Sequence, residues 1–294
     1  MSNTDPVMQP PRRILLATDL GSHTDRALDR ATQLARQWQA ALHVVHALHP
    51  DTQTTSLPYT YGDPAFDGDD AEMVKRQIRQ DLREQAADLT IHVAAGKPER
   101  VILDTAAREN CELIVMGTSG PTYAGVTVGS TTARLLRQSR RSVLIVRTRP
   151  HGSYQRVLVG TDFTAESRHG LQTASAWFAR ADLTVMHVLD IPYTSLLLNA
   201  GRGDEFTRME RDTMDTFLAE TPLPADHAQR IHTYIEYGYP EIMLRRHGVA
   251  NGTGLTVVGA VKRGIAFHML VGSTAARIVQ NALSDVLVVY EVRH

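Results

Sequence analysis

The amino-acid sequence contains the same block twice, with the two copies 142 to 143 residues apart. The first copy reads LLATD, VMGTSG and GSTTAR at residues 15–19, 115–120 and 129–134. The second copy reads VGTD, VGAVK and GSTAAR at residues 159–162, 258–262 and 272–277. Solenoid repeats are roughly 20–50 residues long, so a repeat unit of this length indicates a duplicated domain.

The duplication predicts two domains, at residues 12–149 and 154–294, preceded by a flexible tail at residues 1–11. Pro150 and Gly152 mark the junction between them, since these residue types interrupt regular structure. Each half, of about 145 residues, is long enough to bury its own core. We expect the two halves to pack against each other. The sequence does not decide whether the whole chain also forms a homodimer.

Composition and charge narrow the class of protein. The chain has 31 basic and 32 acidic residues and a net charge of −1, which predicts no general attraction to nucleic acid or anionic membranes. Its one cysteine, Cys111, cannot form an intrachain disulfide and is typical of a reducing compartment. No apolar stretch is long enough to span a membrane, and the polar N-terminus does not read as a signal peptide. These features predict a cytoplasmic protein.

Short apolar runs alternate with segments of helical periodicity in both halves. Nearly continuous apolar runs of this length are typical of parallel strands that are buried on both faces. Strands that alternate with helices predict an α/β fold with a doubly wound, five-stranded parallel sheet in each half. The runs are 14–18, 42–47, 91–94, 113–116 and 143–146 in the first half, and 157–161, 183–188, 231–236, 255–258 and 286–290 in the second.

Several motifs, in the same order in both halves, resemble the tandem form of the universal stress protein family. The first strand ends in Thr-Asp, the second in His46-Ala47 or His187-Val188, and a Gly-x-Pro follows the third. A glycine loop then follows the fourth strand, and Gly-Ser-Thr opens the last helix. The resemblance covers residues 13–292 and implies Rossmann-like domains that pair through their last strands as a pseudo-two-fold pair.

The resemblance also implies binding of ATP, with or without Mg²⁺, through the loop Gly-x2-Gly-x9-Gly-(Ser/Thr). The first copy has Gly117 and Gly120 but only eight residues before Gly129. The second copy has nine residues before Gly272, but Lys262 replaces the second glycine. Lys262 could pair with phosphate, occupy an empty phosphate site or point to solvent. We expect the first site to be the stronger one.

The residues themselves offer a chemical basis for that binding. Glycine lets backbone N–H groups approach phosphate, and a helix N-terminus favours an anion. Alternatively, Ser130 only caps its helix, and Asp19 and Asp162 cap theirs. By resemblance, the aspartates contact the adenosine part, while Ala17, Ala47 and Met116 line the adenine pocket or simply pack in the core. The predicted binding residues are Ala17, Asp19, Ala47, Met116, Gly117, Gly120, Gly129, Ser130, Thr131, Asp162, Gly259, Lys262, Gly272, Ser273 and Thr274.

Three classes of function remain in view. An ATP-binding regulator of the stress response is favoured, because no water-activating base stands out near the phosphate loop. One alternative is a weak ATPase. The other is a protein that binds no nucleotide and acts as a scaffold or binds an apolar ligand in its pocket. No metal site is expected, since His43 and His46 would point to opposite faces of one strand. The chain also has no P-loop motif.

Overall fold

We describe a computed structural model of the chain, which covers residues 8–22, 24–48, 70–82, 88–118, 129–189, 203–224, 227, 230–260 and 273–290. These residues form one ten-stranded sheet with the strand order β3-β2-β1-β4-β5-β10-β9-β6-β7-β8. The strands are β1 (Arg13–Ala17), β2 (Ala41–Leu48), β3 (Leu89–Ala95), β4 (Leu113–Gly117), β5 (Ser142–Val146), β6 (Arg156–Thr161), β7 (Asp182–Leu189), β8 (His232–Tyr237), β9 (Leu255–Gly259) and β10 (Asp285–Val289).

Helices follow the strands in both halves and cover the sheet. The predicted α/β fold with five strands in each half is confirmed. Predicted and observed strand ends differ by one or two residues, the usual uncertainty at element boundaries. The described helices are α1 (Asp25–Trp38), α2 (Asp70–Leu82), α3 (Pro98–Arg108), α4 (Ser130–Gln138), α5 (Ala165–Trp177), α6 (Gly203–Ala219), α7 (Pro240–Ala250) and α8 (Ser273–Asn281).

The two halves join through their last strands, as the resemblance implied. Strands β5 and β10 pair antiparallel, whereas the other neighbouring pairs of described strands are parallel. Leu144 pairs with Leu287, its own counterpart in the repeat. The flanking pairs in the register are Val143 with Val288 and Ile145 with Val286. The pseudo-two-fold axis therefore passes between Leu144 and Leu287.

Two hydrogen bonds across this junction obey the same symmetry. The Arg147 guanidinium donates to the carbonyl of Val279, and the Tyr290 hydroxyl donates to the carbonyl of Leu136. Arg147 and Tyr290 are equivalent in the repeat, and so are Leu136 and Val279. Each half thus sends the residue after its last strand to the last helix of the other half.

Each face of the sheet carries an apolar core that continues across both halves. Leu16, Leu34, Leu171 and Leu287 belong to the core on one face. Leu15, Ile114, Ile278 and Val288 belong to the core on the other face. Alternation along the strands explains the division, because successive side chains point to opposite faces. A shared core makes separation of the halves costly, since full burial of one such side chain contributes about 1.5–3 kcal/mol.

A glycine shapes the turn that leads from the third strand of each half into its next helix. Gly96 has φ +145° and Gly238 has φ +138°, conformations that disfavour a residue with a Cβ. Pro98 and Pro240 then begin α3 and α7, where the missing proline N–H costs no helical hydrogen bond. This turn is the structural reason for the repeated Gly-x-Pro motif. Among the described residues, no helix is both long and apolar enough to cross a membrane.

Candidate functional site

Each half has a cavity at the carboxyl edge of its strands, which is where open α/β sheets place ligands. The first cavity has a volume of about 130 Å³. The second has a volume of about 180 Å³. Residues that line the first are Ala17, Thr18, Asp19, Thr24, Val45, Ala47, Pro98, Ile102, Met116, Gly117, Thr131 and Thr132. Residues that line the second are Gly160, Thr161, Asp162, Ser167, Met186, Val188, Pro240, Leu244, Val258, Gly259, Ser273, Thr274, Ala275 and Ile278.

The two cavities are built from equivalent positions of the repeat. Asp19 corresponds to Asp162, and Gly117 corresponds to Gly259. Most of the predicted binding residues in the described part of the chain line one cavity or the other; Gly129 and Ser130 do not. Three predicted residues, Gly120, Lys262 and Gly272, lie outside the described residues. The role of the whole set in binding stays a prediction.

A tight turn after the first strand positions Asp19. Its Oδ1 accepts hydrogen bonds from the Gly21 N–H at 2.9 Å and from the Thr24 hydroxyl at 3.2 Å. Leu20, between Asp19 and Gly21, has φ +62°, a left-handed conformation that is uncommon for a residue with a side chain. The Leu20 N–H donates to the Thr18 hydroxyl at 3.0 Å. The turn is thus fixed by local hydrogen bonds, and it holds Asp19 at the rim of the cavity.

The second half repeats this turn around Asp162. Phe163 has φ +62°, and its N–H donates to the Thr161 hydroxyl at 3.0 Å. Asp162 Oδ1 accepts from the N–H and hydroxyl of Thr164. The alternative that the two aspartates cap the following helices is wrong, because the N-cap residues are Thr24 and Thr164. Both aspartates instead brace a turn that precedes the helix.

The first turn of the last helix closes each cavity from the other side. Helix α4 begins at Ser130 and its N-cap residue is Gly129, so the alternative that Ser130 caps this helix is wrong. Ser130 is already helical, and the Gly129 N-cap makes no side-chain hydrogen bond to the first turn. Thr131 from this turn lines the first cavity, and Ser273 and Thr274 line the second. The first N–H groups of a helix have no intrahelical partner and favour an anion.

A histidine lies beneath each aspartate turn. The Nδ1 atom of His46 is 3.0 Å from the Thr18 carbonyl oxygen, and that of His187 is 2.8 Å from the Thr161 carbonyl oxygen. Burial lowers the pKa of His46, against the opposite effects of the Thr18 carbonyl and Asp19. The neutral His46 ring donates to the Thr18 carbonyl oxygen and anchors the turn to the second strand.

Among the described lining residues, the only charged side chains are those of Asp19 and Asp162.

Gly259 has a packing role that the motif did not reveal. A Cβ at this position would lie 2.3 Å from the Glu166 carbonyl oxygen, far inside van der Waals contact. The first turn of α5 therefore passes directly over the end of β9. Glycine is required there for close approach of helix and strand, whether or not a ligand binds.

Comparison with known proteins identifies one family in both halves of the chain. The family model of the Universal stress protein family matches residues 11–147 and again residues 153–290. The chain belongs to the universal stress protein family. A universal stress protein of Mycolicibacterium smegmatis is 26% identical over 297 residues, which cover 94% of this chain and 96% of the relative. One from Thermus aquaticus is 33% identical over 145 residues, which cover 46% of this chain and 98% of the relative.

Solved structures of universal stress proteins share the tandem fold. A universal stress protein from Archaeoglobus fulgidus aligns with a TM-score of 0.69 and 18% identity, over 95% of this chain and 98% of the other. A putative universal stress protein from Pseudomonas aeruginosa aligns with a TM-score of 0.68 and 21% identity, over 95% and 93%. At these identities the likeness concerns the fold alone.

Some lining residues of this universal stress protein were not predicted from the sequence. Thr24 is the N-cap of the helix after the first aspartate turn, and Ser167 lies in the first turn of the equivalent helix α5. Ile102 and Leu244 come from the helix after the Gly-x-Pro motif. The two members of each pair are 143 or 142 residues apart, as in the duplicated block. This spacing is the sequence signal that could have identified them. Pro98 and Ile102 are about one helical turn apart, so both lie on the face of α3 that is directed toward the cavity.

Proposed function

We propose that this universal stress protein binds an adenine nucleotide, ATP, at the carboxyl edge of its sheet and acts as a cytoplasmic, ligand-dependent regulator of the stress response. One observation carries the proposal. In both halves, an aspartate after the first strand and the first turn of the last helix line the same cavity. A hydrogen-bond acceptor on one side and a helix N-terminus on the other suit a ligand with hydroxyl groups at one end and phosphate at the other.

Each part of the nucleotide has a matching group in the first cavity. The Asp19 carboxylate would contact the ribose, because a carboxylate accepts hydrogen bonds from sugar hydroxyls. Ala17, Ala47 and Met116 offer an apolar wall to the base. Thr131 and the N–H groups at the start of α4 face the phosphates. The 130 Å³ volume is below the roughly 300–1,000 Å³ of typical ligand pockets, so a nucleotide that contacts these residues would extend beyond the cavity.

Mg²⁺ fits this arrangement only as a companion of the triphosphate. Mg²⁺ keeps several waters and takes one or two carboxylates together with substrate phosphates. Among its described lining residues, each cavity offers a single carboxylate, and the Oδ1 atoms of Asp19 and Asp162 already accept protein hydrogen bonds. When bound, the ion would neutralise charge on the phosphates.

The position and hydrogen bonds of these carboxylates favour a regulatory role over catalysis. A general base must reach the attacking water beside the phosphates, whereas Asp19 is assigned to the ribose and its Oδ1 already accepts hydrogen bonds from Gly21 and Thr24. The described lining residues offer no other carboxylate or histidine as a base. Slow ATP hydrolysis remains the alternative within the nucleotide-binding class. A nucleotide-free role, as a scaffold or as a binder of an apolar ligand, is the alternative outside it.

The deciding experiment starts from protein that is purified without added nucleotide. Denaturation followed by mass spectrometry of the released small molecules should yield an adenine nucleotide. Calorimetry with ATP should then show binding that is weakened in Asp19→Asn and retained in the surface control Asp104→Asn. Phosphate release over hours separates an ATPase from a regulator. Absence of nucleotide in the extract together with no heat of ATP binding would refute the proposal.

A further inference from the structure

Two histidines and a glutamate meet on the edge of the sheet in the first half, away from the cavity. His43 lies on β2, His92 lies on the outer strand β3, and Glu109 follows the last residue of α3. The strands are parallel and Val45 pairs with His92, so His43, two residues before Val45, points to the same face as His92. Parallel pairing and a helix end thus gather three potential ligands that are distant in sequence.

The separation between the two histidine nitrogens is that of two ligands around one ion. His43 Nδ1 and His92 Nε2 are 3.2 Å apart. Two imidazole nitrogens that bind one tetrahedral Zn²⁺, each at 2.0–2.1 Å, lie about 3.3 Å from each other. One ligand atom from each of His43, His92 and Glu109 lies within 4.8 Å of the other two. Glu109 Oε1 lies 3.9 Å from His92 Nδ1, so the Glu109 side chain must rotate toward the His43–His92 pair to complete a three-ligand set.

The cluster is accessible to solvent on the outer side of the sheet. The side chains of His92 and Glu109 remain 16% and 26% exposed, so an ion can enter from solvent. We propose that His43, His92 and Glu109 form a site for a divalent transition metal of the Zn²⁺ class.

Arg108 is the group that competes with such an ion. Its Nε donates to Glu109 Oε1 at 2.9 Å, and its Nη2 lies 3.4 Å from His92 Nδ1. The guanidinium thus holds the carboxylate and shields the ring. The Arg108 side chain is 59% exposed, so it can turn to solvent when an ion arrives. Metal binding would then replace the histidine–histidine hydrogen bond and the Arg108–Glu109 pair together.

The second half supplies an internal comparison. The positions equivalent to His43, His92 and Glu109 are Thr184, Tyr234 and Asn251, which have no imidazole or carboxylate. The site therefore breaks the symmetry of the repeat and should bind one ion per chain. Its position ties the end of α3 to the outer strand, while the start of α3 contributes Pro98 to the first cavity.

The test is a calorimetric titration of the full, metal-stripped chain with ZnCl₂ in the absence of nucleotide. We expect one ion per chain with micromolar affinity or better. His43→Gln and His92→Gln should each weaken it by about tenfold or more, as loss of one ligand predicts, and Arg108→Gln should strengthen it. His232→Gln, an exposed histidine on the equivalent outer strand β8, is the matched control and should bind as the unmodified chain does. MgCl₂, which prefers oxygen ligands, should give no comparable binding.

Unchanged zinc affinity in a folded His43→Gln/His92→Gln double variant would overturn the site, because the bound ion would then belong to other histidines. If circular dichroism finds that variant unfolded, Glu109→Gln at the helix end takes its place. Weaker zinc binding in Glu109→Gln supports the site, and unchanged binding refutes the three-ligand set. Since no nucleotide is present, failure here leaves the proposed ATP site untouched.

Discussion

The Tyr154 hydroxyl donates a 2.6 Å hydrogen bond to the Asp285 carboxylate, although the two residues are 131 positions apart. Tyr154 lies between the halves, just before β6, and Asp285 begins β10 at the pseudo-two-fold junction. Asp285 is fully buried and Tyr154 nearly so. Burial and the nearby carboxylate raise the pKa of Tyr154, so its hydroxyl stays protonated and remains a donor. The segment between the halves is therefore fixed to the core.

Asp285 is also the acceptor for the residues that leave β5. Its Oδ1 accepts from the N–H of Arg147 at 2.8 Å and from the N–H and hydroxyl of Thr148 at 2.9 and 3.0 Å. Arg30 completes the cluster, with Nε 3.5 Å from Asp285 Oδ2 and its guanidinium 4.0 Å from the centre of the Tyr154 ring. One buried carboxylate thus balances two buried cations and holds the connection in place.

Asp285→Asn should destabilise the protein strongly. The amide keeps the shape of the side chain but removes the charge that compensates buried Arg30 and Arg147. Breaking a buried ion pair in this way costs about 3–5 kcal/mol. Urea unfolding, followed by circular dichroism, measures the loss. The exposed pair of Arg100 and Asp104 gives the control, since Asp104→Asn should cost less than about 1 kcal/mol. Equal midpoints for the two variants would contradict this reading of the cluster.

The apolar pattern predicted the strands and helices of both halves, and the family resemblance implied that the halves pair through their last strands. Neither could predict the Asp285 cluster. The positions equivalent to Tyr154, Asp285 and Arg30 are Pro11, Ser142 and Thr173, so the charged cluster occurs once. Its one counterpart in the repeat is the bond from the Tyr290 N–H to the Ser142 hydroxyl. Contacts between such distant residues depend on how the halves pack, which periodicity within each half does not encode.

The same limit applies to side chains on neighbouring strands. The sequence correctly set His43 and His46 on opposite faces, because alternation is a property of one strand. Predicting their contacts would have required the register between strands, which the sequence pattern does not give. His43 contacts His92, and His46 contacts the Thr18 carbonyl. The aspartate turns were likewise assigned to helix caps as one alternative, since the same residue types favour both roles.

Gly259→Ala should destabilise the second half. The added methyl group would meet the Glu166 carbonyl oxygen at 2.3 Å, so backbone must move, and overpacking of this kind costs roughly 1–3 kcal/mol. Gly248→Ala is the matched control: its added Cβ would lie 3.6 Å from Thr253, an ordinary contact, within helix α7. Alanine in a helix is favoured over glycine by up to about 1 kcal/mol. Unfolding midpoints that move in the same direction for both variants would rule out the packing role of Gly259.

Stability should fall as the pH drops below about 6.5, the pKa of histidine in an unfolded chain. Burial lowers the pKa of His46 in the folded protein, so the unfolded chain takes up this proton first. The contribution is present above pH 6.5 and is lost as the pH falls through the lowered folded value. His46→Gln should therefore flatten the decrease between pH 7.5 and 5, measured by urea unfolding. His151→Gln, at an exposed position between the halves, controls for loss of a histidine as such. An identical slope in His46→Gln and the unmodified chain would contradict the assignment.

Gly120→Val should weaken ATP binding by about tenfold or more, which corresponds to about 1.4 kcal/mol. The added side chain would fill the space through which backbone N–H groups approach phosphate. Calorimetry measures the affinity, with Gly248→Ala as a glycine variant that lies outside the residues lining either cavity. Unchanged ATP affinity in Gly120→Val would refute the phosphate role of this loop.

The two halves should differ in ATP affinity, with the stronger site in the first half. Both cavities present an aspartate and the first turn of a helix, so the difference lies in the loop, where Gly120 has Lys262 as its counterpart. A lysine adds a positive charge that attracts phosphate, yet its side chain restricts a loop whose N–H groups must converge on one anion. We expect geometry to prevail, so Lys262→Gly should create or strengthen the second site despite the loss of charge. Calorimetric stoichiometry would rise toward two nucleotides per chain. If Lys262→Gly instead abolishes the only measurable binding, Lys262 is itself a phosphate ligand and the second half holds the stronger site.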